Sequence, residues 1–367
     1  MRFNLPVLVY QEKNCVHNHA DEIAQMGKNA LIVTGRNSSK KNGSLDDVIN
    51  ALKSKNIKYT VYDGVEENPS VETVMEARKI GVKAGCDFII GIGGGSPMDA
   101  AKAIGVMIYY KNENKDFLYK SVSNSQSLPV IEVPTTCGTG SEVTTVAVLT
   151  VHNEKTKKSM SHRIFPRMAL VDEKYIKNAP LKVICDTAID ALAHIVESCI
   201  NNNATEYSKM FAKEGLEAWS KFKDVLLGNR EATDEDFHNM MYASTLAGMC
   251  IAHAGTSLPH GLSYPITYEL GIPHGKAVGY FLPGYINEAT DEDKEFVLKA
   301  AGFESVEEFS KFYKKACGYE KFPQELLDKT GELILSNQRK LANCPYKVMQ
   351  KLLRILLAFN LRNSSLI

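Results

Sequence analysis

The residues best suited to chemistry fall into three groups. Asp190 and His194 stand four apart in DALAHIVE, residues 190–197. On a helix that spacing puts both on one face, with Glu197 nearby. Alone, the pair reads as a helix-surface ion pair or as one wall of a metal site. Downstream, LPHGLSYPITYELGIPHGKAVG repeats Pro-His-Gly at His260 and His274. Three imidazoles and one carboxylate suit a borderline divalent cation and leave a position open for a substrate oxygen. Asp186, one turn before Asp190, shares its face and is read as supporting or structural.

The second group is GIGGGSPMDAAKAI, residues 91–104. Glycines let backbone N–H groups approach an anion, and a helix N-terminus adds free N–H groups and a positive dipole end. The spacing is not GxGxxG, and Lys102 lies too far inside the helix for a Walker loop. The chemistry is that of a phosphate or pyrophosphate loop; the plain alternative is a tight strand–helix turn. The third group, VPTTCGTGSEVTTVAV (133–148), offers hydroxyls and backbone amides that can wrap a nucleotide or simply form a polar turn.

Alternating elements position these groups. NALIVTG (29–35) reads as a buried strand, LDDVINALKSKN as a helix and IKYTVYDGV as a strand. SVETVMEARKIGVKAG is a helix capped by Ser70 and closed by Gly85. CDFIIGIGGGSPMDAAKAIGVMI reads strand, glycine loop, helix; LPVIEVPTT is a further strand. This predicts an α/β domain with a mostly parallel, Rossmann-like sheet over residues 1–178. From 179 to 367 the chain is helix-rich and carries the candidate metal ligands, predicting an all-α metal-binding and substrate domain.

GGGSPMD followed by PTTCGTGSEVT resembles the iron-dependent, or group III, alcohol dehydrogenases. Their broader superfold includes glycerol dehydrogenase-like and dehydroquinate synthase-like enzymes. The likeness runs over residues 29–285, with a weaker echo at LANCPYKVMQKLL (341–353). It implies that the first loop holds a nicotinamide dinucleotide's pyrophosphate and that the Thr-rich segment lies along its adenine and ribose side. The matching positions are Gly93, Gly94, Gly95, Ser96, Asp99, Thr135, Thr136, Thr139 and Thr144, with Lys158 matching a lysine near the cofactor. Asp190, His194, His260 and His274 match the family's metal ligands. Fe(2+) is the metal implied, and the same donors would also take Zn(2+). A homodimer is expected on the same ground.

Two departures stand out. Many members carry a histidine four residues after the third ligand, often given a proton-handling role; here Tyr264 occupies that place. Tyr264 and His253 become the candidates for proton handling. Ala188 stands where a glycine is usual.

The first strand ends LIVTGRNSSKK (31–41). A carboxylate at this point would accept from an NAD ribose hydroxyl and repel an NADP phosphate. Gly35, Arg36, Ser38 and Ser39 instead suit a phosphate, so NADP(H) is expected over NAD(H). The activity implied is metal-dependent, NAD(P)(H)-linked alcohol dehydrogenase or aldehyde reductase chemistry on small primary alcohols and aldehydes. The alternatives are a phosphonate- or phosphate-aldehyde reductase of the same family and a dehydroquinate synthase-like lyase. The lyase would need many cationic side chains, whereas the stretch around the histidines is apolar and aromatic.

The 43 basic and 43 acidic residues cancel, so no field draws nucleic acid or an anionic membrane. The eight cysteines form no CxxC pair and no dense framework. No secretory signal or apolar span is recognised in the sequence. Together these predict a cytoplasmic protein whose partner is a small molecule or another copy of the chain.

Overall fold

The computed structural model describes residues 3–154 and 156–346; residues 347–353 of the C-terminal echo lie outside them. The chain divides into two compact units, one from Leu5 to Ala179 and one from Pro180 onward together with Phe3 and Asn4.

In the first unit the strands and longer helices run β1 (Leu8–Gln11), β2 (Asn29–Gly35), α1 (Ser44–Ser54), β3 (Lys58–Val65), α2 (Val71–Ala84), β4 (Phe88–Gly93), α3 (Gly95–Tyr109), β5 (Val130–Pro134), β6 (Val148–Val151), β7 (Thr156–Ser159) and β8 (Met168–Val171). Six strands form one sheet in the order β1-β8-β5-β4-β2-β3, and β6 and β7 form a separate antiparallel hairpin. Every pairing in the large sheet is parallel. Both faces are therefore covered, and each strand sorts its residues by alternation. Leu31 and Val33 of β2 pack with Val74 of α2 and Ile104 of α3. Ala30 and Ile32 face the other way, toward Val48 and Leu52 of α1.

Local signals set the ends of α2. The Ser70 side chain accepts from the Thr73 N–H, and Gly85 closes the helix in the left-handed conformation at φ 66°. The β4–α3 turn depends on Gly93, at φ 151°, where an added Cβ would meet Pro97 Cγ at 2.5 Å.

The second unit is helical: α4 (Leu181–Cys199), α5 (Glu206–Ser220), α6 (Asp234–Ala254), α7 (Leu258–Leu270), α8 (His274–Asn287), α9 (Asp291–Ala300), α10 (Val306–Cys317), α11 (Gln324–Ser336) and α12 (Gln338–Asn343). Thr205 and Thr233 cap α5 and α6 with capping boxes. From Ala188 to Cys199 every residue of α4 is buried, and α5, α6 and α8 pack around it. A helix apolar on most of its circumference must sit at the centre of such a bundle. Ala188, at the unusual position, is fully enclosed, and its carbonyl accepts from Trp219 Nε1 at 2.7 Å. Among the described residues no helix is long and apolar enough to cross a membrane.

Candidate active site

Asp190 and His194 lie on α4, His260 in the first turn of α7, and His274 at the start of α8. One ligand atom each from Asp190, His260 and His274 falls within a common 4.8 Å. Asp190 Oδ1 is 3.5 Å from His260 Nε2, 3.8 Å from His274 Nε2 and 4.0 Å from His194 Nε2. These separations run slightly wider than the roughly 3.4 Å between ligands of a tetrahedral cation with bonds of about 2.1 Å. His194 stands outside the tight group of three but stacks on His260, with ring centroids 4.4 Å apart.

Asp190 Oδ1 and His260 Nε2 are both buried, and neither has a hydrogen-bond partner. Two enclosed acceptors facing one another are costly unless something positive lies between them. Burial works against the Asp190 charge. The imidazoles of His194, His260 and His274 outweigh it and hold the carboxyl well below the usual carboxylate range. The residues thus fit a divalent cation. The far side of His274 is also engaged: its Nδ1 lies 3.4 Å from Ser263 Oγ, which donates to the His260 carbonyl at 2.8 Å.

The glycines of the two Pro-His-Gly repeats serve packing. A Cβ on Gly275 would run into the Asp186 carbonyl, and one on Gly261 into Ile334 of α11. Each gap lets another element close on its histidine. Of Asp186, it is this carbonyl that meets the histidine turn.

Tyr264 is one helical turn beyond His260 on α7. Its ring stacks on His274 at 5.6 Å, and Lys340 Nζ lies 5.8 Å from the ring centre. Burial pushes the Lys340 ammonium down to about 8, against the opposing pull of Glu197. His253 has a different setting. Its Nδ1 donates to the Met249 carbonyl at 2.8 Å, its Nε2 accepts from the Asn4 N–H at 3.3 Å, and Phe3 stacks on its ring. Both nitrogens are engaged, Nδ1 within α6 and Nε2 in tying Asn4 to it.

In the first unit the glycine loop and the Thr-rich segment meet. The Thr135 N–H donates to the Gly93 carbonyl at 2.8 Å. A Cβ on Gly94 would lie 3.0 Å from Thr136 Oγ1, and one on Gly95 2.9 Å from Thr139 Cγ2. Gly94, Gly95, Ser96, Thr136 and Thr139 are half-buried at this rim. Asp99 and Thr144 act beneath it. Asp99 accepts from Ser141 Oγ at 2.6 Å and from the Val148 N–H at 2.8 Å, and Thr144 is buried within 3.5 Å of Lys102 Nζ. Lys158 is exposed on the β6–β7 hairpin and paired with Glu154. Its neighbour Lys157, not singled out in the sequence, donates to Asn68 Oδ1 at 2.7 Å, and the Asn68 N–H donates to Ser96 Oγ. Strand alternation decides which of the two lysines turns to Asn68. At the end of β2, Arg36 and Ser38 are exposed, Ser39 turns inward to Thr34 at 2.8 Å, and Lys40 pairs with Asp63.

The iron-containing alcohol dehydrogenase model matches residues 6–173, and the model for the C-terminal part of that family matches 184–324. The chain belongs to this family. An iron-containing alcohol dehydrogenase structure from Thermotoga maritima is 37% identical with a TM-score of 0.90, covering 98% of this chain and 99% of that one. An NADPH-dependent butanol dehydrogenase of Clostridium saccharobutylicum is 30% identical over 93% of this chain and 84% of its own length. A long-chain primary alcohol dehydrogenase of Thermoanaerobacter ethanolicus is 33% identical over 70% of this chain and 65% of its own. As a member of the iron-containing alcohol dehydrogenase family, the chain is an oxidoreductase of alcohols and aldehydes that uses a metal and a nicotinamide cofactor.

Proposed function

We propose that this dehydrogenase interconverts small primary alcohols and aldehydes, uses iron(II), and prefers NADP(H) to NAD(H). The reading rests above all on Asp190 Oδ1 and His260 Nε2, two buried and unpartnered acceptors 3.5 Å apart beside His274. Asp190, His260, His274 and His194 would hold the cation. A divalent ion there supplies a Lewis acid for the alcohol or carbonyl oxygen, and the nicotinamide carries the hydride. Asp190 would contribute the one negative charge among these donors. Tyr264, against His274, is the candidate proton donor through its Oη in aldehyde reduction; a phenol donates readily but is a poor base near neutrality.

Gly94, Gly95, Ser96, Thr136 and Thr139 form the rim assigned to the pyrophosphate, an arrangement that a strand–glycine–helix turn favours. NADP(H) preference is supported by the absence of a carboxylate at the end of β2 and by the exposed Arg36 and Ser38. All eight cysteines are free and buried, which fits the reducing cytoplasm. The homodimer expected from the family is checked by sedimentation.

The central test is elemental analysis beside NADPH oxidation with a panel of small aldehydes. Wild type should carry about one metal ion per chain and turn over, and His260→Ala should lose both. A His260→Ala protein with full metal and activity would overturn the assignment.

A further inference from the structure

His260 is held from behind. Asp190, His194 and Glu197 line one stripe of α4, and Glu197 is fully enclosed. Its Oε1 meets His260 Nδ1. Its Oε2 accepts from the Ser257 N–H at 2.6 Å and, at 3.4 Å, from the N–H of His260 itself. Backbone N–H groups can only donate, so Oε2 is fixed as an acceptor, and as a carboxylate Glu197 accepts at Oε1 too. An acceptor at Nδ1 requires the imidazole to carry its hydrogen there. In the neutral ring that leaves Nε2 bare, facing Asp190 Oδ1 at 3.5 Å. Lys340 adds positive charge on the Glu197 side. Its Nζ donates to Thr256 Oγ1, next to Ser257, and its stem lies close over Gly261.

We infer that Glu197 is a positioning residue: its carboxylate fixes His260 in the Nδ1–H tautomer and aims the bare Nε2 at the group formed with Asp190 and His274. This deepens the metal reading above and rests on it. Glu197→Gln keeps a carbonyl oxygen for the two backbone N–H groups and changes the contact at Nδ1, so its effect should vanish when that ring is gone.

Two measurements on the full-length protein test this. In metal-free wild type, ¹⁵N-histidine NMR reads the tautomer of each ring, and His260 is identified by its loss in His260→Ala. The neutral ring should carry its hydrogen on Nδ1; a neutral ring protonated on Nε2 overturns the proposal. Zn(2+) affinity, by competition with a chromophoric chelator, is then compared in wild type, Glu197→Gln, Glu197→Asp, His260→Ala and the Glu197→Gln/His260→Ala pair. Glu197→Gln should weaken binding about 10–100-fold. Glu197→Asp should recover part of it, and Glu197→Gln should add nothing once His260 is gone. Unchanged affinity in Glu197→Gln, or an equal loss with and without His260, overturns the positioning role. If Glu197→Gln does not fold, Glu197→Asp carries the comparison, with an intermediate loss expected. A wild type that takes up no Zn(2+) removes the metal reading instead, and the tautomer still decides the role of Glu197.

Discussion

At Tyr264 one side-chain oxygen separates two roles. The ring stacks on His274 one turn beyond His260, and removing only the hydroxyl leaves that stacking intact. Tyr264→Phe should lower kcat for aldehyde reduction by about 100-fold and alter its pH profile if the phenol feeds the proton. Steady-state kinetics from acid to alkaline pH read this directly. An unchanged kcat with a shifted KM assigns the ring to packing and leaves solvent as the donor. At this scale the sequence revealed residue types but not their orientation. The i,i+4 spacing put Asp190 and His194 on one face because helical periodicity is local. Glu197 was visible on the same stripe, yet its tie to His260 depends on how α7 docks, which no spacing within α4 records. His253 resembled a relay candidate by type alone, and only its packing against Phe3 and Asn4 shows where its nitrogens go.

At the scale of elements, the β2 end is where the proposed cofactor preference is tested. A Cβ on Gly35 would meet only the Val65 carbonyl, at an ordinary 3.5 Å, so a side chain is tolerated there. Gly35→Asp should lower the ratio of kcat/KM for NADPH to that for NADH by about tenfold or more, because a carboxylate repels the 2′-phosphate and accepts from the ribose hydroxyl. Wild type preferring NADH would refute the preference; an unchanged ratio in the variant would refute its location. The strands β2, β3 and β4 and the caps of α2 were legible because their signals are short-range: an apolar run, a serine before a helix, a glycine after it. The β6–β7 hairpin was not legible. Its strands are short and only partly buried, and its sequence was absorbed into the Thr-rich segment and the lysine match. Lys158 was named by its match to the family; in the hairpin it is exposed and pairs with Glu154, while Lys157 turns to Asn68.

For the molecule as a whole, Glu132 links stability to pH. It lies in β5, opposite Gly91 in register, and a Cβ on Gly91 would strike its carboxylate. Neither oxygen has a hydrogen-bond partner. Burial pushes the carboxyl well above its ordinary range, with Lys102 opposing. Unfolded, the group ionises near about 4.3; folded, it keeps its proton beyond that point. The unfolded chain then binds fewer protons, so this contribution to stability falls as pH rises from there toward the folded value. Glu132→Gln removes the titration and should gain on wild type in urea midpoint as pH rises from about 4 to 8. A difference independent of pH would show that Glu132 ionises alike in both states. The sheet that carries this residue also has an order in time. The one partner of β1 in it is β8, with Leu8 set against Met168, whereas β2, β3 and β4 pair among near neighbours in the chain. β1 precedes every other strand of this sheet and must wait for nearly the whole α/β unit before its hydrogen bonds to β8 exist. Until then its unpaired backbone N–H and C=O groups are open to any passing strand, so the strand made ahead of its sheet is among the last to be secured in it.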